Sequence, residues 1–390
     1  MATSNAINIA DLQERARARL PRVVFDYMDG GAEDETTLSA NREAFKHWRL
    51  NSRLVTGHVG RDLSTTVLGQ KIALPFLIGP TGLNGLHWKG ADLALAKAAA
   101  AAGTIFTLST ASTSSLEAVA QCTPAPKWFQ LYPWGDRKVV GRLIERAKAA
   151  GYTAMMVTVD SLVAGRRERD ARNNFSHEVK MTPKVVVDGL VHPGWLLNTW
   201  LAGGGMPRIE NVAEFCGEKP TAHDLAEFTR SQRNAGLSWE DIAWMRAQWQ
   251  GPFMVKGLAC GEDVNLARKA GADGVVVSNH GGRQLDSAPG TLEVLPEVVA
   301  AAGGSMDVLI DGGFRRGSDV VKAMALGAKA VLLGRATLYG VASEGQAGVA
   351  KALDILKSET DRTLALMGCG AISELSPTWL RRRSREDAAP

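Results

Sequence analysis

Short, almost unbroken apolar runs recur along the chain and alternate with longer stretches whose apolar residues fall at helical spacing. The runs cover 76–79, 105–109, 128–132, 155–159, 253–256, 275–278, 308–310 and 331–333. Near-continuous apolar strands are what a parallel sheet buried on both faces requires. Between them the pattern predicts helices over 92–102, 116–121, 138–149, 262–270, 291–301 and 318–326. Most run into a glycine before the next strand (Gly103, Gly151, Gly271, Gly303, Gly327), a common helix stop. A further helix is predicted over 9–20, ended by Pro21, and Asp29-Gly30-Gly31 reads as a turn.

Eight strands alternating with helices predict a closed (β/α)8 barrel, an α/β fold of the TIM type, filling the whole chain, 1–390. Strand centres lie roughly 22 to 33 residues apart, the size of one βα unit. The exception is strand four to strand five, roughly 95 residues, which implies a long insertion after strand four, at 174–228. An open doubly wound sheet is the alternative; it calls for a Gly-rich turn after its first strand, where this chain has Gly79-Pro80-Thr81-Gly82.

Composition narrows the class. The 390 residues are 45% hydrophobic and 22% charged, which excludes a disordered, collagen-like or coiled-coil chain. Lys plus Arg exceed Asp plus Glu by only four, 45 against 41, so no nucleic-acid partner is expected. The four cysteines lie far apart, with no metal-ligand spacing, and read as reduced, mostly buried thiols of a cytoplasmic protein. Neither a signal peptide nor a membrane-spanning stretch is expected.

In such barrels the reactive groups stand at the C-terminal strand ends. In order, those ends read Pro80-Thr81-Gly82; Ser109-Thr110-Ala111; Gln130 and Tyr132; Thr158 and Asp160, followed by Arg166 and Arg167; Lys256; Ser278 to Arg283; Asp311-Gly312-Gly313-Phe314-Arg315; and Gly334-Arg335. The last two place glycine amides beside Arg315 and Arg335 where barrels commonly bind a phosphate. Lys256 ends a buried strand, where an ammonium needs a partner anion or charge developing on a cofactor. His280 lies three residues before Arg283, and Asp160 ends a strand two positions around the barrel. A carboxylate beside a histidine orients it and makes it a general base. Arg167 and Arg283 could grip a carboxylate between their planar forks, with Tyr27 and Tyr132 as hydroxyl donors.

The segment Ser278-Asn279-His280-Gly281-Gly282-Arg283-Gln284-Leu285-Asp286 is a specific signature, supported by Gly30-Gly31-Ala32-Glu33-Asp34, Trp128-Phe129-Gln130-Leu131-Tyr132 and Asp311 to Gly317. On these residues the chain resembles, over almost its whole length, the FMN-dependent L-2-hydroxy-acid oxidases and dehydrogenases. The resemblance implies His280 as the active-site base, paired with Asp160, and Tyr27, Tyr132, Arg167 and Arg283 as substrate-binding residues. It implies FMN contacts at Pro80, Thr81, Gly82, Ser109, Gln130, Thr158, Lys256 and Ser278. Lys256 would lie near the edge of the flavin ring that becomes charged, and the phosphate would meet Asp311, Gly312, Gly313, Arg315, Gly334 and Arg335. His280 would take a proton from the hydroxyl or from carbon, and no metal is implied.

Within the family the chain looks most like the mandelate-oxidising branch. Ala111 and Ala164 stand where glycolate-type members carry bulkier side chains, which opens room for an aryl substituent unless Trp128, Trp134 or the insertion refills it. Gly82 fits the same branch. Electrons would pass to a quinone; the alternative is a soluble oxidase of short-chain acids that reduces oxygen to hydrogen peroxide. In the insertion, Val185-Val186-Val187, Leu190, Val191, Trp195, Leu196, Leu197, Trp200 and Leu201 lie near Lys180, Lys184 and Arg208. That mixture reads as a peripheral membrane contact on the inner face of the cell membrane, the alternative being a lid on the barrel or on a neighbouring subunit. The run Arg381-Arg382-Arg383 reads as a solvated tail, and the resemblance implies a homotetramer.

Overall fold

The chain is described from a computed structural model covering residues 6–175 and 182–383. All eight apolar runs are strands of one closed barrel. They are β1 Phe76–Ile78, β2 Phe106–Ser109, β3 Lys127–Leu131 and β4 Ala154–Thr158, then β5 Phe253–Leu258, β6 Gly274–Val277, β7 Asp307–Ile310 and β8 Ala330–Leu333. Each pairs in parallel with the next, and β8 closes onto β1 through Val331–Phe76, Leu332–Leu77 and Leu333–Ile78. Closure excludes the open doubly wound sheet.

The unbroken apolarity has a direct cause. Alternate residues (Leu77, Trp128, Met156, Met254, Val276, Leu309, Leu332) fill the barrel interior. Their neighbours (Ile78, Phe129, Met155, Val255, Val277, Ile310, Leu333) pack outward against the helices. Both strand faces therefore leave water. A hairpin, Thr65–Val67 with Gln70–Ile72, adds Val67 and Ile72 to the interior cluster and is tied to β7 by Leu68 N–H donating to Asp307 Oδ2 at 2.6 Å.

The predicted helices appear within a residue or two of their expected bounds. Their five stop glycines all have positive φ, from +58° at Gly303 to +103° at Gly327. Two helices left unmarked by the pattern complete the ring. One is Trp239–Gln248, which follows the insertion and is capped by Ser238. The other is the long Arg335–Met367, broken at Glu344 and Gly345. Gly340 and Gly348 bring the backbones on either side of the break into contact, where a Cβ on either would collide with the other's carbonyl. At the break the helix packs on the N-terminal helix Ile9–Arg19, where Arg15 faces Glu344 at 3.7 Å and Ser343 Oγ donates to the Leu12 carbonyl at 3.2 Å.

The insertion folds as short helices, Pro183–Leu190 and Pro193–Trp195, continued by a wider turn through Leu196–Leu201. Its tryptophans turn inward: Trp195 is buried, donates from Nε1 to the Leu86 carbonyl at 2.7 Å and packs on Trp200 at 5.4 Å. Val186, Val187, Leu190, Val191, Leu197 and Leu201 face outward. Arg19 and Arg22 hold the segment to the N-terminal helices through Thr199 Oγ1 at 3.0 Å and Asp188 Oδ2 at 2.6 Å. Lys180 lies outside the described residues.

Two expectations are corrected. The run Arg381 to Arg383 is not a free tail: Leu380–Arg382 pairs antiparallel with Trp48–Leu50, so its backbone is hydrogen-bonded although its side chains are exposed. Of the four cysteines, all free, only Cys369 is buried. Among the described residues no helix is long and apolar enough to cross a membrane.

Candidate active site

The C-terminal strand ends converge on one cavity, lined by residues from every barrel strand end, from the helix Arg22–Asp29 and from the insertion's return segment. Counting the solvent-open space at its mouth, it spans about 1650 Å³. Among the described residues, six cationic side chains line it (Arg167, Arg233, Lys256, Arg283, Arg315, Arg335) against the single carboxylate of Asp311. The site is built for anions.

His280 stands at the end of β6 with φ +56°, followed by Gly281 and Gly282 at +66° and +75°. A left-handed histidine costs about 1–2 kcal/mol. It is held there by its N–H donating to Ser278 Oγ at 3.0 Å and its Nδ1 to Asp160 Oδ1 at 2.8 Å. Gly282 is irreplaceable locally, because a Cβ would come within 2.6 Å of the Leu38 backbone. With Asp160 selecting the tautomer protonated on Nδ1, Nε2 is left free to act as a base.

Asp160 sits between His280 and Lys256, whose Nζ is 4.0 Å from Asp160 Oδ2 and 3.0 Å from Asp311 Oδ2. Burial pushes the Asp160 carboxyl up, but His280 and Lys256 outweigh it and hold it below the usual carboxylate range. Burial likewise presses the Lys256 ammonium down, and Asp311 and Asp160 more than restore it, so it stays charged. The partner anion expected for Lys256 is therefore Asp311. The packing depends on Gly257, at φ +112°, where a Cβ would approach Asp160 Cβ to 2.7 Å.

On the opposite side, Arg283 Nη1 donates to the carbonyls of Tyr27 and Gly30, both at 2.8 Å, and Arg167 pairs with Asp170 at 3.1 Å. Both guanidinium groups face the Tyr27 ring, at 5.1 Å and 5.7 Å from its centroid. Burial, with Arg167 and Arg335 close by, lowers the Arg283 guanidinium to about 9, still cationic at neutral pH. Burial, then Asp160, raises the Tyr132 phenol to about 12, so it is a hydrogen-bond donor.

Buried polar atoms without partners mark what the cavity would receive. Gln130 uses its carbonyl oxygen on Ser109 Oγ and the Thr110 N–H, leaving Nε2 unpaired. Thr81 Oγ1, Thr158 Oγ1 and Asp311 Oδ1 are unpaired as well. Orphaned buried groups carry a desolvation cost that a ligand removes. Donors from Gln130, Thr158 and Lys256 suit a flat ring edged with carbonyl oxygens and ring nitrogens, as in a flavin. At the far end Gly312 and Gly313, at φ +98° and +81°, lie against Asn41 so closely that no side chain fits. Arg315 is steadied there by Tyr339 Oη at 3.2 Å, and Arg42 donates to the Gly313 carbonyl.

Every predicted site residue lines this cavity except Asp160 and Ser278. Asp160 stands behind His280, as its pairing requires. Ser278, expected as a cofactor contact, is buried, its hydroxyl accepting from Lys256 Nζ at 2.7 Å because a buried ammonium needs acceptors. Arg335 lines the cavity while its Nε, Nη1 and Nη2 donate to the carbonyls of Met28, Gly281 and Gly30, clamping β8 to β6 and the N-terminal turn. Trp128 lies in the barrel interior and does not refill the space beside Ala111, whereas Trp134 does line the cavity. Ala111 closely faces Gly82, where a Cβ would meet the alanine methyl at 3.1 Å.

Sequence reading missed Gln284, which ties the loop after β4 to that after β6 through Asp160 O at 2.8 Å and Gly165 N–H at 2.8 Å. It also missed Thr229, Arg233 and Asn234, which reach the cavity from far along the chain, and His87. The last is buried beside Tyr27 with both ring nitrogens unpaired. Only the signature around Gln284 carried a signal for any of them.

The FMN-dependent dehydrogenase family model matches residues 16–382. The chain therefore belongs to the family of FMN-dependent dehydrogenases, enzymes that oxidise 2-hydroxy acids. It is 44% identical over its full length, and over 97% of the relative, to (S)-mandelate dehydrogenase of Pseudomonas putida. Glycolate oxidase of Spinacia oleracea is 40% identical, covering 95% of this chain and 94% of that one. A crystal structure of the monotopic membrane protein (S)-mandelate dehydrogenase superposes with a TM-score of 0.93 at 45% identity, covering 97% of this chain and all of the other.

Proposed function

We propose that this FMN-dependent enzyme oxidises an aryl 2-hydroxy acid, (S)-mandelate or a relative, to the 2-oxo acid and passes the electrons to a quinone. The observation that carries the reading is the opposition of the Asp160–His280 pair, at 2.8 Å, to two guanidinium groups flanking Tyr27, beside a wall kept open by Gly82 and Ala111. Arg167 and Arg283 hold the substrate carboxylate, and the phenols of Tyr27 and Tyr132 donate to its oxygens. That fixes the α-carbon between them and the base. His280 Nε2 then accepts the proton of the substrate hydroxyl, and Asp160 stabilises the imidazolium that forms. FMN supplies the two-electron acceptor, with Gln130, Thr158 and Lys256 along its ring and Gly312, Gly313 and Arg315 at its phosphate. Burial by the aryl group of a substrate strengthens each of these contacts by excluding water.

The quinone reading is supported by the outward apolar face of 186–201. Leu190 and Val191 are 62% and 66% exposed, on a segment anchored to the barrel by its inward tryptophan. An outward apolar face of this kind suits peripheral contact with a lipid surface. A homotetramer is carried over from the family resemblance, and light scattering of the purified protein tests it.

Anaerobic bleaching of the purified yellow enzyme by mandelate, lactate, glycolate and 2-hydroxyoctanoate tests the substrate. Fastest bleaching by mandelate is expected, and faster bleaching by glycolate or lactate refutes the aryl assignment. His280→Ala is expected to keep the flavin colour and lose substrate reduction. An unchanged reduction rate removes His280 as the base.

A further inference from the structure

The cavity holds one more arginine than an α-hydroxy monocarboxylate uses. Arg233 follows the helix Ala222–Ser231 and lines the cavity with Tyr132 and Trp134. Its guanidinium is half-buried, and among the described residues no carboxylate or carbonyl accepts a hydrogen bond from it. Burial, then the like charges of Arg167 and Arg230, press on it, and Tyr132 is the acidic group nearby. Arg167 and Arg283 differ: the first has Asp170 and the second two carbonyls. A substrate α-carboxylate between those two leaves the Arg233 charge uncompensated in a partly desolvated space. A cation so placed is costly unless an anion arrives with the ligand.

We propose that Arg233 is a specificity residue that pairs with a second acid group at the far end of the substrate side chain, so that the preferred substrates are 2-hydroxy acids bearing two carboxylates. The inference rests on the proposed function and names a subclass of its substrates. The reaction is the same two-electron oxidation of the hydroxyl-bearing carbon, and the second carboxylate is unchanged by it. A charge-assisted, planar contact of this type is worth about tenfold or more in selectivity.

The test compares 4-carboxymandelate with mandelate in anaerobic flavin reduction by the holoenzyme. Wild type is expected to favour the diacid in kcat/KM, less so as salt rises. Arg233→Met is expected to lower the diacid-to-monoacid ratio about tenfold or more, chiefly through KM, with Arg233→Lys recovering part of it. A ratio equal in wild type and Arg233→Met overturns the proposal. Should Arg233→Met not fold, tryptophan fluorescence of wild type titrated with 4-carboxybenzoylformate and benzoylformate decides, since equal affinities at low salt overturn it. The ratio for 2-hydroxysuccinate against lactate separates this reading from the aryl one. An Arg233-dependent preference there, with no aryl turnover, upholds Arg233 and overturns only the aryl assignment.

Discussion

Replacing Asp160 by Asn removes one negative charge and almost no volume from the position that orients His280. Asp160 Oδ1 lies 2.8 Å from His280 Nδ1, and the side chains are 11% and 26% exposed, so solvent screens the pair only in part. Two unit charges about 4 Å apart in a medium of effective dielectric near 20 interact by about 4 kcal/mol. Partial charge on the imidazole at the transition state, and its partial exposure, bring the loss to about 2–4 kcal/mol, or about 30- to 1000-fold in rate. The asparagine amide also turns an N–H toward Nδ1 and favours the wrong tautomer, which adds to the loss. Lys256 keeps Asp311 at 3.0 Å and Ser278 at 2.7 Å, so the flavin site is left standing. The assay is stopped-flow anaerobic flavin reduction at saturating substrate, with flavin content and thermal midpoint as controls. A yellow, folded Asp160→Asn enzyme reducing its flavin within about threefold of wild type would refute the pairing as the source of base strength.

Four further outcomes are expected. Lys256→Met leaves Asp160 and Asp311 facing each other without their cation. It should destabilise the protein by about 3–5 kcal/mol and release FMN, with Asp311→Asn in the same chain restoring part of both, read by urea unfolding and flavin absorbance. Gly257→Ala should displace Asp160, lowering kcat while KM moves little, because the added methyl needs the space its carboxylate occupies. His87 is pressed from 6.5 to about 3, by burial first and by Arg283 second, so the unfolded chain takes up a proton near pH 6.5 that the folded chain refuses until about 3. Stability is therefore lost as pH falls below about 6.5, by about 2 kcal/mol at pH 5, and His87→Leu should abolish that increment in urea unfolding at pH 7 and 5. Replacing Leu190, Val191, Leu197 and Leu201 by Ser should abolish flotation with anionic vesicles while leaving flavin reduction intact; undiminished flotation argues against a membrane face there.

The barrel was legible in the sequence because both faces of every strand are buried, so each strand appears as an unbroken apolar run, and because five helices end on left-handed glycines. Most of the site was legible too, since strand ends are where the fold presents chemistry and the run from Ser278 to Asp286 is contiguous. What sequence spacing does not carry is which side chains meet from distant segments. Arg233 and His87 reach the cavity only because the insertion's return and the loop after β1 fold over it. The broken C-terminal helix was obscured by its glycines: Gly340 and Gly348 serve close backbone contact, and Gly345 takes the positive φ of the break against the Trp88 indole. Ser278 and Arg335 show the same limit at the site. Their positions at strand ends were fixed by local pattern, but the demand of a buried ammonium and of free carbonyls for partners arises only when the chain closes around them. Hydrophobic alternation is a local property and sets the architecture, whereas the satisfaction of buried charge is a property of the whole enclosure and decides what each polar residue is free to do.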